Sequence, residues 1–579
     1  MEIVGRKYVV VADPALIPPI VGRGSPGLPK SDGYAMWDRA ISPHPGVQGL
    51  FTVAENTPTW RAVRRSYGPA LGPGTLGFHY PIALSCAAKL GDWLAAAGTH
   101  GSTPLELNGA AKALTLDMLG LSAFGLDFGC LDDPRGAQLP HLIEAAMFEC
   151  GERARSVGRR LLPWLYEGQR RKGEEAMNAF YALIEVGAQP GASKFWWGRG
   201  KGRGQLARKG KEGGALIEDI WAGMKARGPP ADGDTTMSAQ LLRLADPARG
   251  SEALSDAQIC AEIATIIIAG YETTANTLTW MCFALHAYPG AADRLIEELR
   301  AAGLAPPEGA EPTASTAGAD PVTAAFQSLP GGYDAIASLP YLDAFVRECL
   351  RLYSTAPNGL IKAVPAAGPP ARIGPYEVDP GVVVWIPFWS LHMSERNWER
   401  PQEFDPERWI GADPRSAGPV SASRCPVSAA VGALRAAAAA AGGNGASADA
   451  SAGAAAATAV VERPPPPTAA AGRGGAASGS DSDGDGEAGR ARSANGSVSV
   501  GGAANRAIRY MPFGDGARNC VGQHLAMLQL KVVVAYLASR FQFRLDDAAM
   551  GGVEGALERQ RVNLTLEVEG GMWMYLQPR

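Results

Sequence analysis

The spacing of hydrophobic and polar residues divides the chain into long helical stretches and short strands. Apolar residues three or four positions apart predict helices at Ile17 to Val21, from Thr59, within Pro81 to Val186, from Leu339 to Tyr353 and from Leu525 to Phe541. Short apolar runs predict strands at Lys7 to Ala12, Ala371 to Val378, Val382 to Ile386 and from Phe543 onward. The chain is therefore expected to be mainly α-helical with small β-sheets, an α+β fold.

The longest predicted helix begins at a capping box formed by Ser255 and Gln258. Between Ile263 and Tyr288 the one charged residue is Glu272, so a membrane span is one interpretation. A carboxyl group in mid-span and several threonines would make contact with lipid costly. We therefore expect a long helix buried in a globular core.

Amino-acid composition indicates a different kind of segment between the last two predicted helices. From about 411 to 505 the chain consists of alanine runs, consecutive prolines and a Ser/Asp/Gly patch. Such a segment cannot bury enough apolar surface to offset the entropy cost of ordering. We expect a low-complexity, disordered insert at 411–505 in a single domain formed by 1–410 and 506–579. Residues 187–214 are expected to form a surface loop and 301–332 a linker.

Charge and cysteine content exclude several classes of function. The 579 residues carry a net charge of −4, which gives no indication of a nucleic-acid partner. The eight cysteines are scattered without a C-x-x-C pair, which argues against a structural zinc site and a disulfide framework. Scattered free cysteines are typical of a reducing compartment.

The segment from Tyr510 to Ala526 holds the most distinctive chemistry. Gly514 and Gly516 can adopt positive φ in a tight loop, and Gly522 lets a flat group approach the main chain. Cys520 lies where the next helix begins, so free amides and the helix dipole are expected to favour its thiolate. Such a loop suits a haem-iron ligand. A redox or nucleophilic cysteine, or a buried cysteine in a glycine-rich turn, would also fit.

A second unusual segment, Ala269 to Thr274, lies in the middle of the long helix. Glycine is unfavourable inside a helix, and a buried carboxyl group adds a further cost. Gly270, Glu272 and Thr273 therefore predict a locally opened helix beside a ligand, where an acid and an alcohol pass protons inward. A kinked helix with Glu272 paired to a cation is the alternative.

Four motifs in this chain resemble those of the cytochrome P450 family of haem-thiolate enzymes, in the family's order. The resemblance runs from about Tyr8 to Arg579 apart from the inserts. It implies the family's fold, in which a long central helix lies over a cysteine-ligated haem. The motifs are the cysteine loop with Phe513, Gly514, Gly516, Arg518, Cys520 and Gly522, the segment Ala269 to Thr274, the pair Glu348 and Arg351, and Pro406 to Trp409.

The resemblance also implies roles for individual residues. Cys520 would ligate the iron, Thr273 would hydrogen-bond oxygen, and Glu272 with ordered water would deliver protons. The residues expected to bind the cofactor are Trp60, Arg64, Gly270, Phe513, Gly514, Gly516, Arg518, Cys520 and Gly522, with Trp60, Arg64 and Arg518 at the propionates. Lys362 stands where the family often has an arginine. Glu348, Arg351 and Arg408 would form a structural triad on the proximal side.

The function implied is a haem-thiolate monooxygenase that inserts one atom of O2 into a small apolar substrate. The cofactor would be haem b, with electrons from NADPH through a partner reductase, or from a ferredoxin, on the proximal face. Two alternatives remain: a hydroperoxide-rearranging isomerase or dehydratase on the same fold, and a non-catalytic or degenerate haem-binding protein. Glu272 and Thr273 argue against the first, since such enzymes need no proton-delivery pair.

Two departures from the family concern the ends of the domain and the insert. An N-terminal anchor and a proline-rich hinge are not recognisable, so the chain as written is expected to be soluble. If an anchor is missing from this sequence, the endoplasmic reticulum or a plastid membrane would be the location. The insert at 411–505 replaces a short proximal segment of the family, and we expect it to modulate electron delivery.

Overall fold

The protein is described by a computed structural model. It describes residues 2–3, 6–22, 27–38, 42, 46–53, 57–98, 101–134, 139–141, 143–144, 147, 216–309, 320–411 and 508–579. The predicted surface loop at 187–214, most of the helical stretch beyond 134 and nearly all of the insert at 411–505 lie outside these residues.

The helices follow the apolar spacing closely. Those that the structure describes are α1 (Ile17–Val21), α2 (Pro58–Leu71), α3 (Leu76–Ala97), α4 (Leu107–Leu119), α5 (Leu216–Ala226), α6 (Met237–Leu244), α7 (Asp256–Ala287), α8 (Pro289–Ala301), α9 (Pro321–Gln327), α10 (Tyr333–Ala337), α11 (Pro340–Leu352), α12 (Phe388–Met393), α13 (Gln523–Arg540), α14 (Asp547–Met550) and α15 (Gly552–Glu558). Single 3-10 turns include Pro406–Trp409 and Gly516–Arg518.

The strands are short and fall into small sheets. They are β1 (Glu2–Ile3), β2 (Arg6–Val10), β3 (Leu105–Glu106), β4 (Leu360–Ala363), β5 (Ala371–Ile373), β6 (Tyr376–Val378), β7 (Val383–Ile386), β8 (Phe541–Leu545), β9 (Gln560–Val562), β10 (Leu566–Val568) and β11 (Trp573–Pro578). One sheet has the order β1-β2-β7-β4, with β2 parallel to β7 in the register Tyr8 to Val383. A second has the order β3-β11-β8, and β5-β6 and β9-β10 form antiparallel pairs. The mainly helical fold class is confirmed.

Helix α7 is the centre of the domain, as its apolar length predicted. The Ser255 side chain accepts a hydrogen bond from the Gln258 amide, and the Gln258 side chain accepts one from the Ser255 amide, which confirms the capping box. Helix α7 packs against α4 and α13, and α13 packs against α3. Within the described residues, no helix has both the length and the apolar character to cross a membrane.

Three local predictions were wrong or incomplete. The alanine- and proline-rich stretch predicted as a linker contains α9, which begins because Asp320 caps the Thr323 amide and Pro321 occupies the first turn. Strand β4 was missed because its four residues are too few to show a period. The C-terminal stretch predicted as alternating strands also contains α14 and α15.

Candidate functional site

The cysteine loop is closed by main-chain hydrogen bonds. The Gly514 amide donates to the Met511 carbonyl at 3.0 Å, and the Cys520 amide donates to the Phe513 carbonyl at 2.7 Å. Gly514 and Gly516 have φ of 69° and 72°, the left-handed region predicted for them. A Cβ at Gly516 would overlap the carbonyl oxygen of Val21 in α1, so this glycine also permits close packing.

Cys520 is an exposed residue although protein surrounds it on most sides, an arrangement that suits a group at the wall of an internal cleft. Burial raises the pKa of its thiol above the ordinary value, and the Gly522 amide and the Arg64 guanidinium offset this only in part. The Gly522 amide does favour the thiolate, as predicted for the start of the helix, but burial outweighs it. Because a coordinating thiol loses its proton to the metal, an iron bound at the sulfur would supply the missing stabilisation. The site fits a metal ligand better than a free nucleophile.

Helix α7 leaves one strip of its surface uncovered in mid-helix. Ala269 is exposed, and Ile266, Gly270 and Thr273 are partly exposed, whereas most of the helix from Ile259 to Leu285 is buried. These four positions share one face because they are separated by three, four and seven residues. Three of the four side chains, those of Ala269, Gly270 and Thr273, are small, so the strip suits the approach of a flat cofactor or its substrate.

The predicted opening of the helix at this strip is not observed. Helix α7 is continuous, and the Thr273 hydroxyl donates to the Ala269 carbonyl at 2.9 Å. A Cβ at Gly270 would lie 3.0 Å from the Leu119 side chain of α4. Gly270 therefore permits close packing of two helices, which explains a glycine here without any break.

Glu272 is buried and points into a polar network. Its Oε1 accepts a 2.6 Å hydrogen bond from the Thr565 hydroxyl, and the Asn276 amide donates to the Thr565 oxygen at 2.8 Å. Its Oε2 is buried without a hydrogen-bond partner among the described residues. Burial raises the pKa of Glu272, while the bond from Thr565 and the charge of Lys112 lower it. The group can therefore hold a proton at a higher pH than an exposed glutamate.

The alternative of Glu272 paired directly to a cation is not what the structure shows. The nearby Lys112 ammonium lies 3.2 Å from Glu144 and 4.0 Å from Glu567. Thr565, on the loop between β9 and β10, was not identified from the sequence. Nothing in the residues around it pointed to a contact with a helix almost three hundred positions earlier.

The residues predicted at the propionates lie together. The Arg518 guanidinium lies over the Trp60 ring, 4.1 Å from its centroid, and donates to the Val53 carbonyl at 2.8 Å. Arg64 hydrogen-bonds the Asn519 side chain. Burial and the charge of Arg64 lower the pKa of Arg518 to about 10, which shows how closely these cations are held.

Two lysines extend this cationic cluster. Burial and the charge of Arg518 lower the pKa of Lys362 to about 8. Burial, Arg518 and Lys362 lower the pKa of Lys30 to about 7. Within the described part of the chain, no acidic group offsets the charge of either lysine. Two half-buried arginines and two more deeply buried lysines that gather at one place fit an anionic group such as a haem propionate. Lys30 was not identified from the sequence.

Glu348, Arg351 and Arg408 form a buried ionic cluster. Glu348 accepts from Arg351 Nε at 2.9 Å and Nη2 at 2.8 Å, and from Arg408 Nε at 3.0 Å. Trp409 Nε1 donates to the same carboxylate at 2.8 Å. Glu348 and Arg351 are fully buried, so the cluster lies inside the domain.

His392, which was not identified from the sequence, connects this cluster to the cysteine loop. Arg351 Nη1 donates to the His392 carbonyl at 3.1 Å. The His392 ring accepts from the Met511 amide, also at 3.1 Å. The dispersed histidines of the sequence gave no sign of this contact, because it depends on how α12 packs.

A comparison with protein families identifies the chain. The cytochrome P450 family model matches residues 224–419 and 499–551, which include the motifs of α7, α11 and the cysteine loop. This chain belongs to the cytochrome P450 family. Membership implies a haem cofactor, and the accessible Cys520, the uncovered strip of α7 and the cationic cluster fit one.

Relatives of this cytochrome P450 are named as monooxygenases. The chain is 26% identical over 420 residues to "Benzoate 4-monooxygenase bphA" of Aspergillus niger, which covers 70% of this chain and 71% of that protein. It is 33% identical over 194 residues to "Cytochrome P450 monooxygenase ABA2" of Pyricularia oryzae (strain Y34), and this match covers 31% of this chain. In that case the chain spans only 41% of the relative's length. The crystal structure of the cytochrome P450DA heme domain superposes with a TM-score of 0.61 at 18% identity, covering 100% of this chain and 89% of that one, and supports the same fold.

Proposed function

We propose that this cytochrome P450 is a haem-thiolate monooxygenase that inserts one atom of O2 into a small apolar substrate. The observation that carries the proposal is the exposed Cys520 in the glycine loop that leads into α13, which begins at Gln523. The buried acid and alcohol of α7 support it. Haem b would supply oxygen activation when bound, and the residues of the chain would hold it, deliver protons and exclude water.

Cys520 would ligate the iron of the haem through its deprotonated sulfur. Gly514, Gly516 and Gly522 shape the loop around it, and Phe513 fixes the Cys520 amide through its carbonyl oxygen. The uncovered strip of α7 at Ala269 and Thr273 would border the haem site. Its small side chains leave room for a substrate.

The cationic cluster would hold the two propionates. Arg518 and Arg64 can each present a fork of N–H donors to a carboxylate. Trp60 positions Arg518 by stacking beneath its guanidinium. Lys362 would act as a further cation, in the place where relatives often carry an arginine. Burial disfavours the protonated, charged forms of Arg64, Arg518 and Lys362. The negative charge of the propionate carboxylates would favour those forms again.

Proton delivery would pass through Glu272 and Thr273. Burial raises the pKa of Glu272, so it holds a proton more readily than an exposed glutamate, and its buried, unpartnered Oε2 would take an ordered water as its hydrogen-bond partner. Because the Thr273 hydroxyl donates its hydrogen to the Ala269 carbonyl, its oxygen can accept a hydrogen bond from such a water while the bond inside α7 is kept. In this acid–alcohol relay, Glu272 would give its proton to the water that Thr273 holds in place.

Electrons would come from NADPH through a partner reductase, or from a ferredoxin, on the side of Cys520. The direct test of this function is O2-dependent NADPH consumption with a reductase and a panel of apolar substrates. A hydroperoxide-rearranging enzyme would instead convert a fatty-acid hydroperoxide without O2 or a reductase. A protein that binds haem but shows neither activity would contradict both enzyme functions.

A further inference from the structure

His392 joins two parts of the molecule that are far apart in sequence. Its carbonyl oxygen accepts from Arg351 Nη1, and its ring Nε2 accepts from the Met511 amide, each at 3.1 Å. Its side chain is completely buried. One residue of α12 therefore contacts both the ionic cluster around Glu348 and the first residue of the cysteine loop.

The Met511 amide is the upstream end of a series of bonds that reaches Cys520. The Met511 carbonyl accepts a hydrogen bond from the Gly514 amide at 3.0 Å. Two residues after Met511, the Phe513 carbonyl accepts one from the Cys520 amide at 2.7 Å. Displacement of Met511 would therefore be passed to Cys520 through two short turns. The loop is fixed at its other end by α13, which starts at Gln523.

The ring of His392 is held in one orientation and one protonation state. The Tyr510 ring lies 5.4 Å and the Phe388 ring 6.3 Å from it, centroid to centroid. Burial and the charge of Arg351 lower the pKa of His392 to about 3, so the ring is neutral at physiological pH. With Nε2 as acceptor, the proton is on Nδ1, which is buried without a partner among the described residues.

Because Nδ1 of His392 has no partner among the described residues, Nε2 is the ring nitrogen that contributes a hydrogen bond to the fold. A buried donor without an acceptor is unfavourable, and a hydrocarbon side chain of similar size would avoid that cost. The acceptor at Nε2 is the feature of histidine that the fold uses. A glutamine could offer an acceptor at about the same reach, and a leucine could not.

We propose that His392 is a positioning residue for Cys520, fixing the main chain of the cysteine loop to the buried Glu348–Arg351 cluster. The position of the loop relative to the cluster is thereby fixed, and with it the position of Cys520. The consequence for iron ligation rests on the proposed haem-thiolate function, and the contact between His392 and the loop does not.

Hydrogen exchange measured by mass spectrometry on the full-length protein tests the contact itself. His392→Leu should speed exchange of the amides between Met511 and Cys520 by about tenfold or more, because the loop loses its upstream anchor. His392→Gln should restore most of the protection. His79→Leu is the matched control, since His79 is also buried, contacts the Ala70 carbonyl through Nε2 and has an unpartnered Nδ1.

The absorption spectrum of the reduced, carbon monoxide-bound haem protein is the second readout. His392→Leu should convert a larger fraction of the haem to the form without thiolate ligation, and His392→Gln should reverse this. Unchanged loop exchange in His392→Leu, or the same change in His79→Leu, would overturn the proposal. If His392→Leu does not fold, His392→Asn, whose amide is too short to reach Met511, takes its place.

These readouts separate the positioning role from the proposed function. Faster loop exchange in His392→Leu, together with a wild-type protein that shows no thiolate band, would support the positioning contact and contradict the haem-thiolate function. Unchanged exchange with a normal thiolate band would do the reverse.

Discussion

The Thr565 hydroxyl donates a 2.6 Å hydrogen bond to Glu272, joining the β9-β10 hairpin to the middle of α7. Asn276, one helical turn after Glu272, donates to the same hydroxyl oxygen, and Asn108 donates to Asn276 at 2.7 Å. The acid expected to deliver protons is therefore held by a buried polar network. Its partner lies in the C-terminal hairpin, far from every motif recognised in the sequence.

Glu272→Gln should lower substrate-coupled turnover by about a hundredfold, which is typical for loss of a general acid. The haem spectrum should not change, because Glu272 does not contact the cysteine loop in this structure. Thr565→Val should have a smaller effect and Thr565→Ser almost none, since serine keeps the hydroxyl. Product formed per NADPH consumed is the measurement. Full coupled turnover in Glu272→Gln would exclude the acid–alcohol relay.

Arg351→Leu should destabilise the protein by about 3–5 kcal/mol, because it leaves the Glu348 carboxylate buried with one partner fewer. Arg400→Leu is the matched control. Arg400 pairs with Glu403 at the surface, where the arginine side chain is 58% exposed and such a pair contributes about 1 kcal/mol or less. Urea unfolding followed by fluorescence compares the two variants. Equal destabilisation by both would show that the buried cluster does not hold the fold.

Glu262 predicts a pH dependence of stability. It is buried against Tyr67, whose hydroxyl donates to it at 2.9 Å, and burial raises its pKa to about 7. The unfolded chain loses this proton near pH 4.5, so the folded state binds more protons between pH 4.5 and 7. Stability should therefore fall as the pH rises through that window, by up to about 3 kcal/mol.

Glu262→Gln should remove this contribution while keeping an acceptor for Tyr67. The urea midpoint of wild type should decrease between pH 5 and pH 7, and that of the variant should decrease less. The same pH profile for both proteins would mean that Glu262 is ionised in the folded state across this range.

The ends of the insert allow it to be removed without disturbing the domain. The rings of Trp409 and Tyr510, which flank it, lie 4.5 Å apart, so the chain leaves and returns at one place. Replacing residues 412–507 with a short glycine-serine linker should preserve the thiolate spectrum. Turnover with the reductase should change, whereas turnover driven by added peroxide should not. If the deletion changes neither the reductase-supported turnover nor the peroxide-driven turnover, the insert has no part in electron delivery.

Patterns among residues close together in sequence correctly predicted the main helices. The Ser255–Gln258 capping box, the apolar length of α7 and the amphipathic spacing of α11 each depend on residues a few positions apart, so each could be recognised from the sequence. The positive φ of Gly514 and Gly516 could also be predicted, because few other residues adopt it without strain.

Contacts between distant segments could not be predicted in the same way. Thr565, His392 and Lys30 gain their roles only through packing against α7, the cysteine loop and Arg518. The environment of Cys520 was also misjudged. The helix start that favours a thiolate was visible in the sequence, but the burial that outweighs it was not.

The absorption spectrum of the reduced, carbon monoxide-bound protein tests the central claim most directly. Wild type should show the red-shifted Soret band of a thiolate-ligated haem. Cys520→Ser and Cys520→His should abolish that band while leaving most of the fold, as judged by circular dichroism, and should abolish monooxygenase activity. Absence of the band in the haem-loaded wild type, or activity that survives either substitution, would contradict the account.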